Sequence, residues 1–164
     1  PIEHDNKIPR EEKIIYMEEW WNKAEKLMVD LKITKDKIKA AIETCNIHLR
    51  HGFRNFIKSA ESAQVQTFIV SGGILDVIGT ILRQDIDDLA QNDLIKLISN
   101  IMMFDDNGLF TGFAQPQMHS FKKQDILHKD NKAFNFKKNT FLVGDSVSDR
   151  LMTTNMGQEI VLAV

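Results

Sequence analysis

The sequence predicts a mixed α/β protein, and three observations support this fold class. The first third of the chain has the hydrophobic spacing of helices. A strand, a small-residue loop and a helix follow in succession over residues 67–82, and a second short apolar strand at 141–143 ends in a Gly-Asp step. The 164 residues can form one core of ordinary size, or a core with a small appendage.

Composition and charge restrict the functional class. The hydrophobic share of 43% and the charged share of 27% are typical of a globular protein. The formal charge of -2 gives no reason to expect nucleic acid or an anionic membrane as a partner. No apolar run approaches the roughly 20 residues of a membrane span, and a single cysteine, Cys45, fits a reducing compartment. We therefore expect a cytoplasmic protein without a membrane or nucleic-acid partner, and the sequence predicts no particular oligomeric state.

The two ends of the sequence have an unusual character. The chain opens with Pro1 and closes on the strand-like run 160–164, with no polar tail after it. A buried strand is rarely a terminus unless its neighbours cover it. We therefore expect the sequence to be a segment of something longer.

Three helices are expected at the start. After Pro9, which suits a first helical turn, apolar residues recur at helical spacing. Thr34 is a suitable N-cap for a second helix, and Gly52 separates that helix from a third. Trp20 and Trp21 are neighbours and cannot point in one direction, so we expect one ring in the core and the other at its rim or in a pocket. Cys45 lies among helix formers and is expected to be a small core residue.

A possible anion site follows the first predicted strand. Residues 67–70 have the composition of a buried strand, Ser71, Gly72 and Gly73 form its expected exit, and a helix is expected over 74–82. Glycine allows close backbone approach, a helix N-terminus presents unpaired N–H groups, and Ser71 adds a hydroxyl donor. The Walker and dinucleotide patterns are both absent, so the spacing fits an ordinary loop as well as a phosphate site.

Farther along, residues 96–99 begin another strand, and 101–113 have the composition of a β-hairpin with an Asn107-Gly108 turn. His119 and His128 have no partner at recognised metal-ligand spacing. We interpret both histidines as structural or surface residues.

Two carboxylates follow the strand at 141–143. Asp145 comes directly after Gly144, and Asp149 falls in the first turn of a helix that begins near Ser146. Two carboxylates that face one crevice suit Mg²⁺, which takes oxygen ligands together with substrate phosphate. A turn and a helix cap explain the same residues equally well.

The order of these features resembles that of the haloacid-dehalogenase superfamily of phosphotransferases. The finer pattern resembles its pyrimidine 5′-nucleotidase branch, cytosolic 5′-nucleotidase III. That finer resemblance spans nearly the whole chain and is carried by Pro1-Ile2-Glu3, Met17-Glu18-Glu19-Trp20-Trp21, Leu49-Arg50-His51-Gly52, Ser99-Asn100, Phe104-Asp105-Asp106-Asn107-Gly108 and Gly112-Phe113.

The resemblance implies a doubly wound, Rossmann-like α/β core of the haloacid-dehalogenase type with a helical cap. We expect a mainly helical cap region at 1–56 and an α/β core at 57–164, with the β-hairpin at about 98–113. Both ends of this arrangement are expected to be truncated.

The same resemblance implies roles for individual residues. Ser71 would hydrogen-bond the substrate phosphate with help from the backbone at Gly72, and Lys123 would neutralise the phosphate and the nucleophile. Asp145 would bind Mg²⁺ directly, and Asp149 would support the metal site as a catalytic residue.

Other positions bear on the nucleotide. Glu3 matches an acidic cap residue that contacts the nucleobase or the ribose. The sequence departs from the family pattern at three positions. Ala24 stands where members of the family carry a serine near the base, Gly72 stands where alanine is usual, and Lys122 stands where asparagine is common. The departure at Ala24 bears on base preference.

The nucleophile of the superfamily is an Asp-x-Asp at the end of the first core strand, and no match occurs upstream of Ser71. The triplet 85–87 has the right spelling but follows a helical pattern, so we reject it. We expect the intact protein to hydrolyse nucleoside 5′-monophosphates, with a preference for pyrimidine nucleotides. The reaction would pass through an aspartyl-phosphate whose nucleophile lies outside this chain, so these 164 residues alone would be inactive. The alternatives are a non-catalytic nucleotide- or partner-binding product and a phosphatase for another small phosphorylated metabolite.

Overall fold

The structure is a computed structural model that describes residues 5, 7–86, 92–129, 137–154 and 157–164. These residues have a mixed helix and strand architecture, and two parallel strand pairs and one antiparallel pair occur among them. Within the described ranges, no helix is both long enough and apolar enough to cross a membrane.

Three helices come first in the chain, as predicted. They are α1 (Arg10–Asp30), α2 (Lys35–Thr44) and α3 (Phe53–Ser62). Thr34 caps α2, because its side-chain oxygen accepts a hydrogen bond from the Lys37 amide at 3.2 Å. Gly52 precedes α3 with φ of 88°, a left-handed conformation that glycine adopts at little cost.

The two tryptophans of α1 and the cysteine near α2 test the predicted packing of this helical part. Trp21 is 9% exposed and Trp20 is 57% exposed, which confirms that one ring packs in the core and the other does not. The prediction for Cys45 is wrong. This residue is exposed, because α2 ends at Thr44 and Cys45 lies in extended backbone at the helix end.

A strand, a helix and a second strand follow: β1 (Thr67–Ile74), α4 (Leu75–Asp85) and β2 (Ile95–Asn100). The two strands pair in parallel, from Thr67 opposite Ile95 to Ile74 opposite Asn100, so α4 lies in the crossover between them. The hydrophobic core comes from α3, from α4 and the residue that follows it, and from β2, and its buried members are Ile57, Leu82, Ile86 and Ile95.

The predicted end of β1 is wrong. Ser71, Gly72 and Gly73 are not a loop after the strand, because β1 continues to Ile74. The ladder register shifts between Val70 and Ile74, and pairing resumes where Ile74 meets Asn100. The small residues therefore form an irregular stretch inside the strand, directly before α4.

The predicted hairpin consists of β3 (Met102–Phe104) and β4 (Phe110–Phe113), which pair antiparallel. Gly108 has φ of 73° in the turn. Asp105 Oδ1 accepts a hydrogen bond from the Asn107 amide at 2.9 Å. The Asn-Gly turn is thus present, and the Asp105 side chain closes it.

The last part of the described chain is a helix followed by a second parallel strand pair. It comprises α5 (Lys123–Lys129), β5 (Asn139–Leu142), a 3₁₀ helix (Val147–Thr153) and β6 (Ile160–Ala163). Strands β5 and β6 pair in register, from Asn139 opposite Ile160 to Leu142 opposite Ala163. The strand predicted near the end of the sequence is therefore confirmed.

The chain divides into two compact units, Pro1–Trp21 with Met118–Val164, and Asn22–Gln117. The first unit includes the early part of α1, α5 and the β5–β6 pair. The second contains the remainder of α1, the β1–α4–β2 segment and the hairpin. The division into a helical cap at 1–56 and an α/β core at 57–164 stays a prediction.

Candidate functional site

The segment after β5 presents two carboxylates in different environments. The chain leaves β5, passes through Gly144 and Asp145, and enters the 3₁₀ helix at Ser146. The Ser146 side chain caps this helix by accepting a hydrogen bond from the Ser148 amide at 3.3 Å. The Asp149 amide donates to the Ser146 carbonyl at 2.9 Å, which places Asp149 in the first turn, as predicted.

Asp149 is buried and paired with a lysine. Its Oδ1 lies 2.8 Å from the Lys123 Nζ, and the two side chains are 6% and 17% exposed. Lys123 is the first residue of α5. The pair therefore fixes the start of α5 against the 3₁₀ helix, and it compensates a carboxylate that would be costly to bury alone.

Gly144 leaves the space in which the Asp149 side chain lies. A Cβ atom at this position would be 2.6 Å from Asp149 Oδ2 and 2.9 Å from Asp149 Cβ. Both distances are below normal van der Waals contact. The glycine of the Gly-Asp step is thus required for the buried position of Asp149, not only for the turn.

Asp145 lies on the wall of a cleft in the same unit. The cleft has a volume of about 260 Å³, and the charged residues Asp145, Asp149 and Arg150 are among those that line it. Asp145 is exposed, in contrast to Asp149. A carboxylate with an open face is a suitable ligand for a hard cation such as Mg²⁺.

The described residues do not by themselves form a complete set of metal ligands. Across the ranges that the structure describes, no group of three or more histidine, cysteine or acidic side chains is arranged to hold a metal ion. Asp145 fits a magnesium site that takes one or two protein carboxylates and completes its ligand set with phosphate oxygens and water.

Arg150 was not predicted as a site residue. It follows Asp149 directly, and it lines the cleft that Asp145 also lines. Its position immediately after a predicted metal-supporting carboxylate is the signal that could have identified it. A guanidinium on the same wall can pair with an anionic group that enters the cleft.

Helix α1 contacts the segment that precedes Lys123. Arg10 Nη2 donates to the Phe121 carbonyl at 2.7 Å, and the Lys13 ammonium lies 5.7 Å from the centroid of the Phe121 ring. Lys122 forms an ion pair with Glu18. Lys122 and Lys123 are thus held by different partners, one by α1 and the other by Asp149.

The predicted phosphate residues of β1 lie in the second unit. Ser71 Oγ accepts a hydrogen bond from the Gly73 amide at 3.1 Å, and both residues are half-buried. The structure therefore brings together Lys123 and Asp149, places Asp145 on the cleft that Asp149 also lines, and shows Ser71 and Gly72 within a separate unit. Glu3 lies outside the described residues.

The comparison with known families identifies the chain. All of residues 1–164 match the family model described as pyrimidine 5′-nucleotidase (UMPH-1). The chain belongs to the pyrimidine 5′-nucleotidase (UMPH-1) family. The candidate site after β5 and at the start of α5 therefore belongs to a member of this family. Its residues are Gly144, Asp145, Asp149 and Lys123.

Curated relatives of this family member are 5′-nucleotidases. The 7-methylguanosine phosphate-specific 5′-nucleotidase A of Xenopus laevis is 36% identical over 155 residues, covering 93% of this chain and 52% of the relative. The human 7-methylguanosine phosphate-specific 5′-nucleotidase is 33% identical, with coverage of 93% and 51%. The chain thus spans about half the length of these relatives.

Solved structures agree with this assignment. The crystal structure of cytosolic 5′-nucleotidase IIIB bound to cytidine superposes with a TM-score of 0.81 at 25% identity, covering 99% of this chain and 55% of that one. A phosphoserine phosphohydrolase-like protein from Francisella tularensis shares the fold, with a TM-score of 0.56 at 16% identity over 79% of this chain and 57% of its own. The α/β fold is therefore of the haloacid-dehalogenase type, as predicted.

Proposed function

We propose that this member of the pyrimidine 5′-nucleotidase family, as the intact protein, hydrolyses nucleoside 5′-monophosphates to a nucleoside and phosphate. The observation that carries this proposal is the buried Lys123–Asp149 pair beside the cleft lined by Asp145. The Lys123 ammonium suits a phosphate, and the exposed Asp145 carboxylate suits the metal ion that accompanies the phosphate. Phosphoryl transfer depends chiefly on such positioning and charge neutralisation.

In this proposal Lys123, Ser71 and Gly72 bind the substrate phosphate. The Lys123 ammonium offsets part of the phosphate charge while Asp149 holds it in one orientation, at an Nζ to Oδ1 distance of 2.8 Å. Ser71 donates its hydroxyl proton to a phosphate oxygen, and the backbone at Gly72 allows close approach. These contacts bind and orient the phosphoryl group before and during transfer.

Asp145 is proposed to hold Mg²⁺, and Asp149 to support that site. The bound cation would offset negative charge on the phosphate oxygens. The exposed carboxylate of Asp145 is the group available to it, whereas Asp149 is neutralised by Lys123. Asp149 therefore acts through the position and charge balance of its neighbours.

The attacking carboxylate is proposed to be none of those in these 164 residues. The triplet 85–87 is a poor candidate, because Asp85 is the last residue of α4 and does not follow a strand. An Asp-x-Asp at a strand end would supply a nucleophile that forms an aspartyl-phosphate, and a second aspartate that protonates the leaving 5′-oxygen. Without them these residues bind phosphate but do not transfer it.

Two classes of base are candidates. The family description and the cytidine-bound structure favour a pyrimidine, whereas the Xenopus and human relatives are named for 7-methylguanosine phosphate. We propose pyrimidine nucleotides as the preferred substrates, with 7-methylguanosine monophosphate as the second candidate and Glu3 as a contact to the base or ribose. We also propose a cytosolic location, in line with the name of the cytidine-bound relative.

The test is phosphate release by the protein made from its complete coding sequence. CMP, UMP, 7-methylguanosine monophosphate and a non-nucleotide phosphomonoester are compared at equal concentration with Mg²⁺. We expect release from the nucleotides, fastest from CMP or UMP. Release only from the non-nucleotide ester would assign the protein to another phosphatase class, and binding of nucleotide without release would support the non-catalytic alternative.

A further inference from the structure

The irregular stretch of β1 is held by two side chains from the neighbouring strand. Asn100 Nδ2 donates to the Gly72 carbonyl at 2.9 Å, and Ser99 Oγ donates to the Gly73 carbonyl at 2.8 Å. Asn100 is only 3% exposed. Two successive peptide planes are thus fixed by side chains at the end of β2, at the place where the strand ladder shifts register.

One of these peptide planes also holds the Ser71 side chain. The carbonyl of Gly72 and the amide of Gly73 belong to the same planar peptide unit, so fixing one orients the other. The Gly73 amide donates to Ser71 Oγ at 3.1 Å. Asn100 therefore acts on Ser71 through a continuous series of two hydrogen bonds and one rigid peptide.

The arrangement specifies what Ser71 can do. Its oxygen accepts the Gly73 N–H, which leaves the hydroxyl proton to be donated elsewhere. A Cβ atom at Gly73 would lie 3.3 Å from Ser71 Oγ and 3.1 Å from Ile78 Cδ1, so a side chain at this position would press on the Ser71 hydroxyl and on Ile78. The position of the hydroxyl is thus restrained by Asn100 through the Gly72–Gly73 peptide.

We propose that Asn100 is a positioning residue for phosphate binding, which orients the Ser71 hydroxyl through the Gly72–Gly73 peptide. Ser99 fixes the orientation of the next peptide through its hydrogen bond to the Gly73 carbonyl. This inference rests on the proposed function, in which Ser71 contacts the substrate phosphate. An oriented donor loses less conformational freedom when the phosphate binds, so the effect falls on phosphate affinity.

The test is a double-mutant cycle in the protein made from its complete coding sequence. Ser71→Ala, Asn100→Ala and the double variant are assayed with CMP, with inorganic phosphate and with cytidine as competing inhibitors. We expect Asn100→Ala to raise KM and the inhibition constant of inorganic phosphate by about 10-fold, with cytidine inhibition unchanged. In the Ser71→Ala background, Asn100→Ala should have little further effect.

Thr44→Ala is the matched control. It removes a hydroxyl-to-carbonyl hydrogen bond of 2.9 Å, between Thr44 and Ala41 at the end of α2, and should leave the phosphate constant unchanged. If Asn100→Ala does not fold, Asn100→Ser keeps a small polar side chain but is too short to reach the Gly72 carbonyl, and Ser99→Ala tests the neighbouring peptide.

The possible outcomes separate the two claims. The positioning role would be overturned if Asn100→Ala left the inhibition constant of inorganic phosphate unchanged. It would also be overturned if Asn100→Ala weakened phosphate binding equally in wild type and in Ser71→Ala. Either result would leave the nucleotidase proposal intact. A wild-type protein that neither releases phosphate nor is inhibited by it would overturn both.

Discussion

Asp149 lies with its Oδ1 2.8 Å from the Nζ of Lys123, and this buried ion pair joins two segments that are 26 residues apart in the sequence. The carboxylate is 6% exposed and the ammonium is 17% exposed. Removing either partner leaves a charge in a poorly hydrated place. The pair therefore links the stability of this unit to the charge balance beside the cleft that Asp149 lines.

The pair predicts a large effect on stability. Lys123→Ala should lower the free energy of unfolding by about 3 kcal/mol, because Asp149 then remains buried without a cation. Urea unfolding measures this change. Lys138→Ala is the control, since Lys138 pairs with Glu159 in an exposed position and should cost less than about 1 kcal/mol. Equal losses in the two variants would contradict the assigned role of the buried pair.

Gly144 should tolerate no side chain. Gly144→Ala places a Cβ 2.6 Å from Asp149 Oδ2, so the carboxylate must move and the Lys123 pair must distort. We expect a loss of about 1–3 kcal/mol in thermal or urea unfolding, together with reduced phosphate release.

Gly79→Ala serves as the comparison for Gly144→Ala. It adds the same methyl group within α4, where the nearest atom is the mobile end of Arg83 at 3.4 Å, so it should be neutral or stabilising. If Gly144→Ala is as stable as Gly79→Ala, the steric account of the Gly-Asp step is wrong.

The adjacent tryptophans of α1 should differ strongly. Trp21→Ala removes a ring that is 9% exposed and should cost about 3–5 kcal/mol, as for other large core residues. Trp20→Ala removes a ring that is 57% exposed and should cost less than about 1 kcal/mol. Chemical denaturation of both variants gives the comparison, and a larger loss for Trp20 would reverse the packing described for α1.

Glu25 should stabilise the hairpin. Its Oε2 accepts hydrogen bonds from the Phe113 amide at 2.8 Å and from Gln117 Nε2 at 2.9 Å. Glu25→Ala should cost about 1–3 kcal/mol, because the hydrogen bond from the Phe113 amide to the carboxylate is lost. Glu25→Gln retains an acceptor and should recover part of the loss. Faster amide exchange at Phe113 in Glu25→Ala, measured by NMR, would locate the effect, and unchanged exchange would contradict it.

Local patterns predicted most of the elements. The Thr34 cap, the Gly52 break, the Asn107-Gly108 turn and the strand at 160–163 all depend on residues close in sequence, and the structure confirms them. The end of β1 could not be predicted in this way. The strand extends through Ser71, Gly72 and Gly73, and its carbonyls are bound by Ser99 and Asn100, more than 20 residues later.

The candidate site was predicted by motif order more than by local pattern. Asp145 and Asp149 alone were compatible with a turn, and their placement after Ser71 and Lys123 favoured a phosphate site. Which carboxylate is buried could not be predicted, because it depends on the space beside Gly144 and on the distant Lys123. The contribution of Arg150 to the cleft depends in the same way on the path of the 3₁₀ helix.

The most direct test of the proposed function is the Mg²⁺ dependence of phosphate release from CMP by the protein made from its complete coding sequence. Wild type, Asp145→Asn and the exposed control Asp106→Asn are titrated with Mg²⁺. We predict release that requires Mg²⁺, with the half-maximal concentration raised at least about 10-fold in Asp145→Asn and unchanged in Asp106→Asn. Release without Mg²⁺, or the same titration curve for Asp145→Asn and wild type, would contradict the assignment of Asp145 and its cleft.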